Sequence, residues 1–317
     1  MLAVDEPVEE GALLGKSLGF TLKCNQGKRK FNGIVHTIER LIPMKGVPHS
    51  YKVTLVPSFY LLVEHRDCRA YYNKSVLDIA QFWFDYFGLK NIDFSQLQST
   101  YPAMRYCVQF NESVFDFLSR LFSQYGLFYF FQFEDVEHTL VLADNVSSYR
   151  ENNVLLKVGE HADYFIKDYC YSFDPQPMNI KINSSRDFPG RGSLHYGQQD
   201  NSLWSQMASE HQVYLNPVDE AKQLEHELQL YRNRVEAKEE VLHFSTNLLT
   251  VRPCQVVRVE DRLKHGWVIT RINYHVVDDG NLLNTKDTKA EVINKVHAIP
   301  SQTCCLPPLL PKPLFSG

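Results

Sequence analysis

The chain has 317 residues, 44% hydrophobic and 22% charged, which allows two or three domains with a substantial buried core. Lys and Arg total 33 against 37 Asp and Glu, a net charge of −4 with no basic concentration, which excludes a nucleic-acid footprint. The longest apolar runs stay far below the ~20 residues of a membrane-spanning helix, and Asp5, Glu6, Glu9 and Glu10 follow Met1 where a signal peptide would be basic.

The first expected elements are strands at Leu18–Cys24 and Lys30–Thr37, joined as a hairpin by the turn Asn25-Gln26-Gly27-Lys28. A third strand is expected at Tyr51–Val56, where Tyr51, Val53 and Leu55 alternate with Lys52 and Thr54. Val76, Leu77, Ile79, Ala80, Trp83, Phe84 and Phe87 then recur at helical spacing and predict a helix over Ser75–Leu89, stopped by Gly88. A second helix is expected over Ser113–Gly126, with Val114, Phe117, Leu118, Leu121 and Phe122 as its stripe. Both open alike, Ser75-Val-Leu-Asp78 and Ser113-Val-Phe-Asp116. The serine can cap the first turn while the aspartate three residues on favours the positive helix end.

Leu127–Phe133 reads as an almost wholly aromatic strand that meets His138–Ala143 across Glu134-Asp135-Val136-Glu137. Both faces are apolar, Leu127/Tyr129/Phe131/Phe133 on one and Phe128/Phe130 on the other. Such a strand is either buried on both sides or half of a subunit interface. Further strands are expected at His161–Phe173, Val241–Ser245, Gln255–Val259, Trp267–Val277 and Lys289–Ala298. Between them, Asp187–Gln206 is rich in Gly, Ser, Gln and Asn and reads as a long loop. A third helix is expected from Asp219 to Lys238. Ala221, Leu224, Leu228, Tyr231 and Val235 lie on its apolar face, and Glu225, Glu227, Arg232, Arg234 and Glu239 on a solvated one. From Pro300 the tail (Pro307, Pro308, Pro311, Pro313) reads as an extended linker rather than core.

No motif speaks for catalysis. Gly11-Ala-Leu-Leu-Gly15-Lys16-Ser17 is one residue short of a phosphate-binding loop, and its lead-in Asp5–Glu10 would repel phosphate. His226-Glu227 matches the start of a zinc-protease motif, but Leu230 stands where the second histidine is needed. His138 and His243 sit in strand contexts as satisfied sheet residues. The seven cysteines have no C-x-x-C and no regular spacing, and the vicinal Cys304 and Cys305 rarely bridge without strain, so reduced thiols in a cytosolic chain are expected. Catalytic, cofactor-binding and metal-binding residues are therefore assigned to none of the positions, and no cofactor is expected.

The stretch from Arg69 to Asn145 carries several spaced blocks in order. It reads Arg69-Ala-Tyr-Tyr-Asn-Lys-Ser75-Val-Leu-Asp78-Ile79, Gly88-Leu89, Tyr101-Pro102 and Tyr106-Cys-Val108-Gln109-Phe-Asn-Glu112-Ser113-Val-Phe-Asp116-Phe117-Leu118-Ser-Arg120-Leu121. It ends with Gly126-Leu-Phe-Tyr129-Phe130-Phe131 and His138-Thr-Leu140-Val-Leu142-Ala-Asp144. This resembles the head of the valine-glycine-repeat (VgrG) spike family of bacterial type VI secretion, related to contractile-phage tail hubs. Weaker agreement extends outward through Leu13-Leu14-Gly15-Lys16, Phe31-Asn32-Gly33-Ile34-Val35, Tyr51-Lys-Val-Thr-Leu55-Val-Pro57 and Lys312-Pro313-Leu314-Phe315-Ser316-Gly317.

The resemblance implies a mainly β fold with an α insert (α+β): two β-barrel-like tube domains and a small helical subdomain. Residues 1–66 would form the first tube domain, lacking its N-terminal strand, and 67–146 the helix-containing α/β subdomain. Residues 147–299 would form the second tube domain with its long helix near 219–238, and 300–317 a Pro-rich linker towards an absent spike domain. On this reading the chain is a head fragment, short at both ends. The implied role is structural and not enzymatic: a homotrimer adapting a hexameric tail-tube protein to the spike, with baseplate components and secreted effectors as further partners. It would bind no nucleic acid and insert in no membrane, assembling in the bacterial cytoplasm before export to the extracellular space or a target cell. The competing readings are an effector or enzyme with an unrecognised site and a carbohydrate- or membrane-binding β module.

Overall fold

The computed structural model describes residues 2–4, 7–24, 27–41, 49–134, 137–159, 165–174, 179–183, 191–195, 211–214, 221–260, 265–277 and 291–311. The chain opens with β1 (Leu2–Val4), a single-turn α1 (Glu10–Leu13), β2 (Ser17–Cys24), β3 (Gly27–Leu41) and β4 (His49–Val56). These strands form one antiparallel sheet in the order β1-β4-β3-β2. The expected hairpin is present, with its strand pairing extending further than expected. Cys24 pairs with Gly27 and Lys23 with Lys28, so Gly27 and Lys28 belong to β3, while Asn25 and Gln26 lie outside the described residues.

A 3-10 turn (Ser58–Glu64) leads into the helical subdomain, with β5 (Arg66–Tyr71), α2 (Val76–Tyr86), β6 (Ile92–Gln96), β7 (Cys107–Ser113), α3 (Val114–Gln124), β8 (Phe128–Phe133) and β9 (His138–Ala143). Both expected helices form, and their caps explain where they start. Ser75 Oγ accepts from the Asp78 N–H at 3.1 Å and Asp78 accepts from the Ser75 N–H at 2.8 Å, a complete capping box. Ser113 Oγ accepts from the Asp116 N–H at 3.0 Å. Each helix ends earlier than the apolar spacing suggests, because Gly88 (φ 67°) and Gly126 (φ 74°) turn left-handed. The N–H groups of Leu89 and Leu127 then close back on the carbonyls of Phe84 and Phe122, both at 2.8 Å. Gly126 is doubly constrained, since a Cβ there would run into the Leu230 side chain.

Strands β5 and β7 pair with each other, and β6-β9-β8 form a three-stranded sheet, β6 parallel to β9 and β8 antiparallel to it. The strands β5, β6 and β7 escape sequence reading because they are short and lack a clean alternation of apolar and polar residues. Val76, Ile79, Trp83 and Phe84 of α2 pack with Phe117, Leu118, Leu121 and Phe122 of α3 into one core, joined by Phe59, Tyr71 and Leu127.

After a 3-10 turn (Val146–Ser148), the second half contains β10 (Arg150–Val158), β11 (Phe165–Phe173), β12 (Asn179–Asn183), β13 (Arg191–His195), β14 (His211–Tyr214) and α4 (Ala221–Glu239). It ends with β15 (Glu240–Thr246), β16 (Gln255–Val259), β17 (Trp267–Val277) and β18 (Glu291–Pro300). Six of these close a barrel in the order β10-β11-β15-β18-β17-β16. Leu156, Ile166, Leu242, Phe244, Val257, Trp267, Ile269 and Val296 fill it. The structure is therefore mainly β with an α insert, as the sequence implies.

Three expectations need correction. Part of the expected loop Asp187–Gln206 is strand: β13 pairs with β12, which pairs with β14 on its other side, and the rest of that stretch lies outside the described residues. The buried face of α4 is wider than expected. Val235 is buried as expected. Arg234, expected on the solvated face, and Leu230, assigned to neither, are buried too, because α4 docks on the loop after α3 and on the tail. The side chains of Ala221 and Leu224 lie outside the described residues. The tail is not a free linker as far as Pro308. Thr303, Cys304 and Leu306 are buried, the Tyr149 hydroxyl donates to the Thr303 carbonyl at 3.0 Å, and the Cys305 N–H donates to the Tyr149 oxygen at 2.7 Å. Four prolines in a tail predict an extended backbone, and an extended backbone also suits a strap whose polar groups are met by side chains.

Candidate functional site

A Ser–His–Asn row is present: Ser58 Oγ lies 3.2 Å from His138 Nε2, and His138 Nδ1 lies 2.9 Å from Asn32 Oδ1. Its hydrogen bonding argues against a nucleophilic role. The backbone N–H of Ser58 donates to the same Nε2 at 3.0 Å, which assigns the proton to Nδ1 and occupies the ring's one acceptor position. Nε2 is then unable to take a proton from the serine. Asn32 Nδ2 donates in turn to the Glu134 carbonyl at 3.1 Å. Three elements meet here: β3, the turn after β4, and β9. His138 is a buried staple between the N-terminal sheet and the helical subdomain, and burial holds its pKa below the ordinary value.

That direction sets a pH dependence. Unfolded histidine takes up a proton near pH ~6.5, whereas native His138 resists doing so. Its contribution is complete above that pH and is lost as pH falls below it through the lower native value. His297, also lowered by burial, acts in the same sense. The urea midpoint is expected to fall between about pH 7.5 and 5.5, and a midpoint unchanged over that range would contradict the staple.

The other sequence candidates are placed without chemistry. In the shortened glycine loop the Gly15 and Lys16 amides are taken by the carbonyls of Val35 (2.9 Å) and Leu13 (3.0 Å), so they do not wrap a phosphate. His226 is on α4 one turn before buried Leu230. His243 on β15 faces His297 on β18, with ring centroids 4.4 Å apart. Cys68, Cys107, Cys170, Cys254, Cys304 and Cys305 are free thiols. Burial pushes Cys304 up to about 12 and Cys305 to about 11, so both stay protonated at neutral pH. Among the described residues no group of three or more His, Cys, Asp or Glu is arranged to hold a metal.

What the polar residues do is join parts. Strand β8 is buried on both faces within one chain: Leu127, Tyr129 and Phe131 pack on the helical core, and Phe128 and Phe130 pack on Leu230, Cys254, Cys304 and Leu306. Arg29 of β3 is buried against the rings of Phe31 and Tyr274, at 5.0 and 4.6 Å, and donates to the Val251 carbonyl, which also accepts from the Tyr274 hydroxyl. Burial lowers its pKa to about 10, so it remains charged at neutral pH. It ties the N-terminal sheet to the barrel. The tail ties α3 to α4: the Ser123 hydroxyl donates to the Pro308 carbonyl at 2.6 Å, and Arg234 donates to the Pro307 and Ser123 carbonyls. Sequence reading missed Arg29 and Arg234 because a lone arginine in a strand or on a charged helix face carries no local sign of burial.

The family description "Phage tail baseplate hub (GPD)" matches residues 1–280. The type VI secretion system spike protein VgrG1a of Pseudomonas aeruginosa is 31% identical over 240 residues, 73% of this chain and 36% of that protein. VgrG1c of the same organism is 40% identical over 134 residues, 42% of this chain and 18% of that one. The chain thus spans about a third or less of the length of these relatives. Among solved structures, the E. coli c3393 protein, a type VI secretion component with similarity to the T4 tail proteins gp27 and gp5, superposes with a TM-score of 0.71. It is 16% identical, and the match covers 99% of this chain and 72% of that one. A tail protein from Neisseria meningitidis MC58 gives a TM-score of 0.59 at 13% identity, covering 91% and 90%. At these identities the likeness is one of fold.

Proposed function

We infer the function from the family to which the chain belongs, the phage tail baseplate hub family: it is a structural hub and spike-head component of a type VI secretion machine. The observation that carries this reading is the family match over residues 1–280, which takes in the N-terminal sheet and five of the barrel's six strands. Residues 1–66 and 147–299 act as two tube domains bridged by the helical subdomain of 67–146. Three copies of such a chain present six tube domains, which matches a trimeric spike to a hexameric tube stacked on it. The role is not enzymatic. The buried polar residues that might have served chemistry are engaged in joining the parts, which suits a protein that must pass force between its partners. Those partners are further copies of itself, the tail-tube protein, baseplate components and secreted effectors. Assembly takes place in the bacterial cytoplasm, followed by export through the machine itself.

Association must offset about 4–15 kcal/mol of lost translational and rotational freedom, so a concentration-dependent monomer–trimer equilibrium is expected. Sedimentation velocity across about a hundredfold dilution, roughly 2.7 kcal/mol in binding terms, is the test. A trimer that dissociates on dilution supports the hub, whereas a discrete dimer, or a monomer at every concentration, argues against it.

A further inference from the structure

Two histidines far apart in the sequence meet on the outer wall of the barrel. Leu242 and Phe244 on β15, and Val296 and Ala298 on β18, belong to the barrel core. Alternation therefore turns His243 and His297 outward, and the register sets them directly opposite each other. Their rings touch, with centroids 4.4 Å apart at an interplanar angle of 77°. Both side chains are half-buried, so water and ions reach them. Among the described residues neither ring makes a hydrogen bond or ion pair with another protein group. His243 is thus not the satisfied sheet residue that its strand context suggests, whereas His138 has partners on both ring nitrogens. Burial, with His243 and Arg271 close by, holds the His297 pKa below its ordinary value. At neutral pH its ring is therefore a neutral ligand and not a cation.

We propose that His243 and His297 together chelate one borderline divalent metal ion, of the zinc and copper class, on the barrel wall. Two imidazoles that share a metal, each nitrogen ~2.0–2.1 Å from it, hold their ring centroids roughly 4.5–5.2 Å apart for square or tetrahedral angles. The observed 4.4 Å is already close to that range. Antiparallel pairing of β15 with β18 holds the two backbones in place. The ligand type selects the metal. Imidazole suits zinc, copper and nickel, whereas magnesium and calcium want oxygen. Arg271 of β17 lies opposite His297 in the same row, and its charge opposes any cation held by electrostatics alone. The metal is therefore bound through its affinity for nitrogen. Cys170 of β11 lies opposite His243 on the other side, but its thiol donates to the Tyr171 carbonyl at 3.8 Å. Two imidazoles are thus the protein's ligands, and the remaining positions stay open to water or a further ligand. The site lies within one chain, so it does not depend on how the chain assembles.

The test is calorimetric titration of the full chain with Zn²⁺, in a buffer that does not chelate metal and with a phosphine reductant present. A saturable Zn²⁺ site is expected. His243→Gln and His297→Gln should each weaken it by more than about tenfold, the least that losing even a supporting group costs a metal site. Both positions face outward, and circular dichroism checks that each variant keeps the native fold. Zn²⁺ should also move the ring proton signals of these two histidines in the wild-type chain, a readout that needs no variant. The double variant should lose no more than either single one, because one missing imidazole already breaks the chelate. Cys170→Ser should bind as the wild type does, and excess Mg²⁺ should not compete. A wild-type chain without saturable Zn²⁺ binding would overturn the proposal, as would a double variant that keeps it or a site that Mg²⁺ empties. Losses that add between the single variants would mean two independent histidines and no shared site. A weakened Cys170→Ser variant would overturn the two-imidazole ligand set.

Discussion

Phe130→Asp is expected to abolish cooperative folding. Phe130 is 8% exposed, on the face of β8 that meets Leu230, Cys254, Cys304 and Leu306, and its cross-strand neighbour is Val141. None of these side chains can pair with a carboxylate. A buried charge without a partner costs several kcal/mol, a large share of the ~5–15 kcal/mol that holds a domain together. The damage would not stay local, because this face is where the helical subdomain, α4, the barrel and the tail converge. Phe130→Leu, which keeps the site apolar, should cost about 1–2 kcal/mol. Thermal melts followed by circular dichroism separate the cases. A folded Asp variant with a wild-type melting temperature would mean that this face is open, and a stably folded monomer would mean that it is a subunit interface.

Glu112→Ala is the second large effect, expected to cost about 3–5 kcal/mol. Arg120 of α3 holds Glu112 through two contacts, Nε to Oε2 at 3.1 Å and Nη2 to Oε1 at 2.5 Å. The side chains are only 7% and 11% exposed. Arg120 Nη2 also reaches the Val108 carbonyl at 3.2 Å, and the guanidinium lies 5.3 Å from the Phe117 ring centre. Removing the glutamate therefore strands a buried cation. Replacing both partners with apolar residues, Glu112→Leu with Arg120→Met, should recover most of the loss, since the pair itself gains little over a packed apolar isostere. Urea denaturation of the single and double variants measures this. A double variant as unstable as Glu112→Ala would show that the pair contributes more than mutual neutralisation.

Much of this chain was legible because its signals are local. The Ser75 and Ser113 caps, the two glycine stops and the apolar stripes of α2 and α3 each depend on residues within one or two turns, where backbone geometry and side-chain spacing act directly. Strand β17 spans the expected Trp267–Val277. The aromatic run of β8 also announced a strand with two apolar faces. Arg69–Asn145, the stretch on which the resemblance rests, forms most of the helical subdomain, where most of these local signals lie.

The remainder depended on what each element meets. The sequence by itself determined that β8 must lose both faces to something. Only the tertiary structure decided that the second face meets α4, the barrel and the tail of the same chain. It determined a charged face for α4, while docking on α3 and the tail buried Arg234 on it by supplying backbone carbonyls for the guanidinium. It determined an extended tail, and side chains far away in the sequence turned that tail into a strap as far as Pro308. Periodicity records which residues avoid water. Which surface covers them is set by contacts between segments far apart in the chain, and no short window of residues contains both partners.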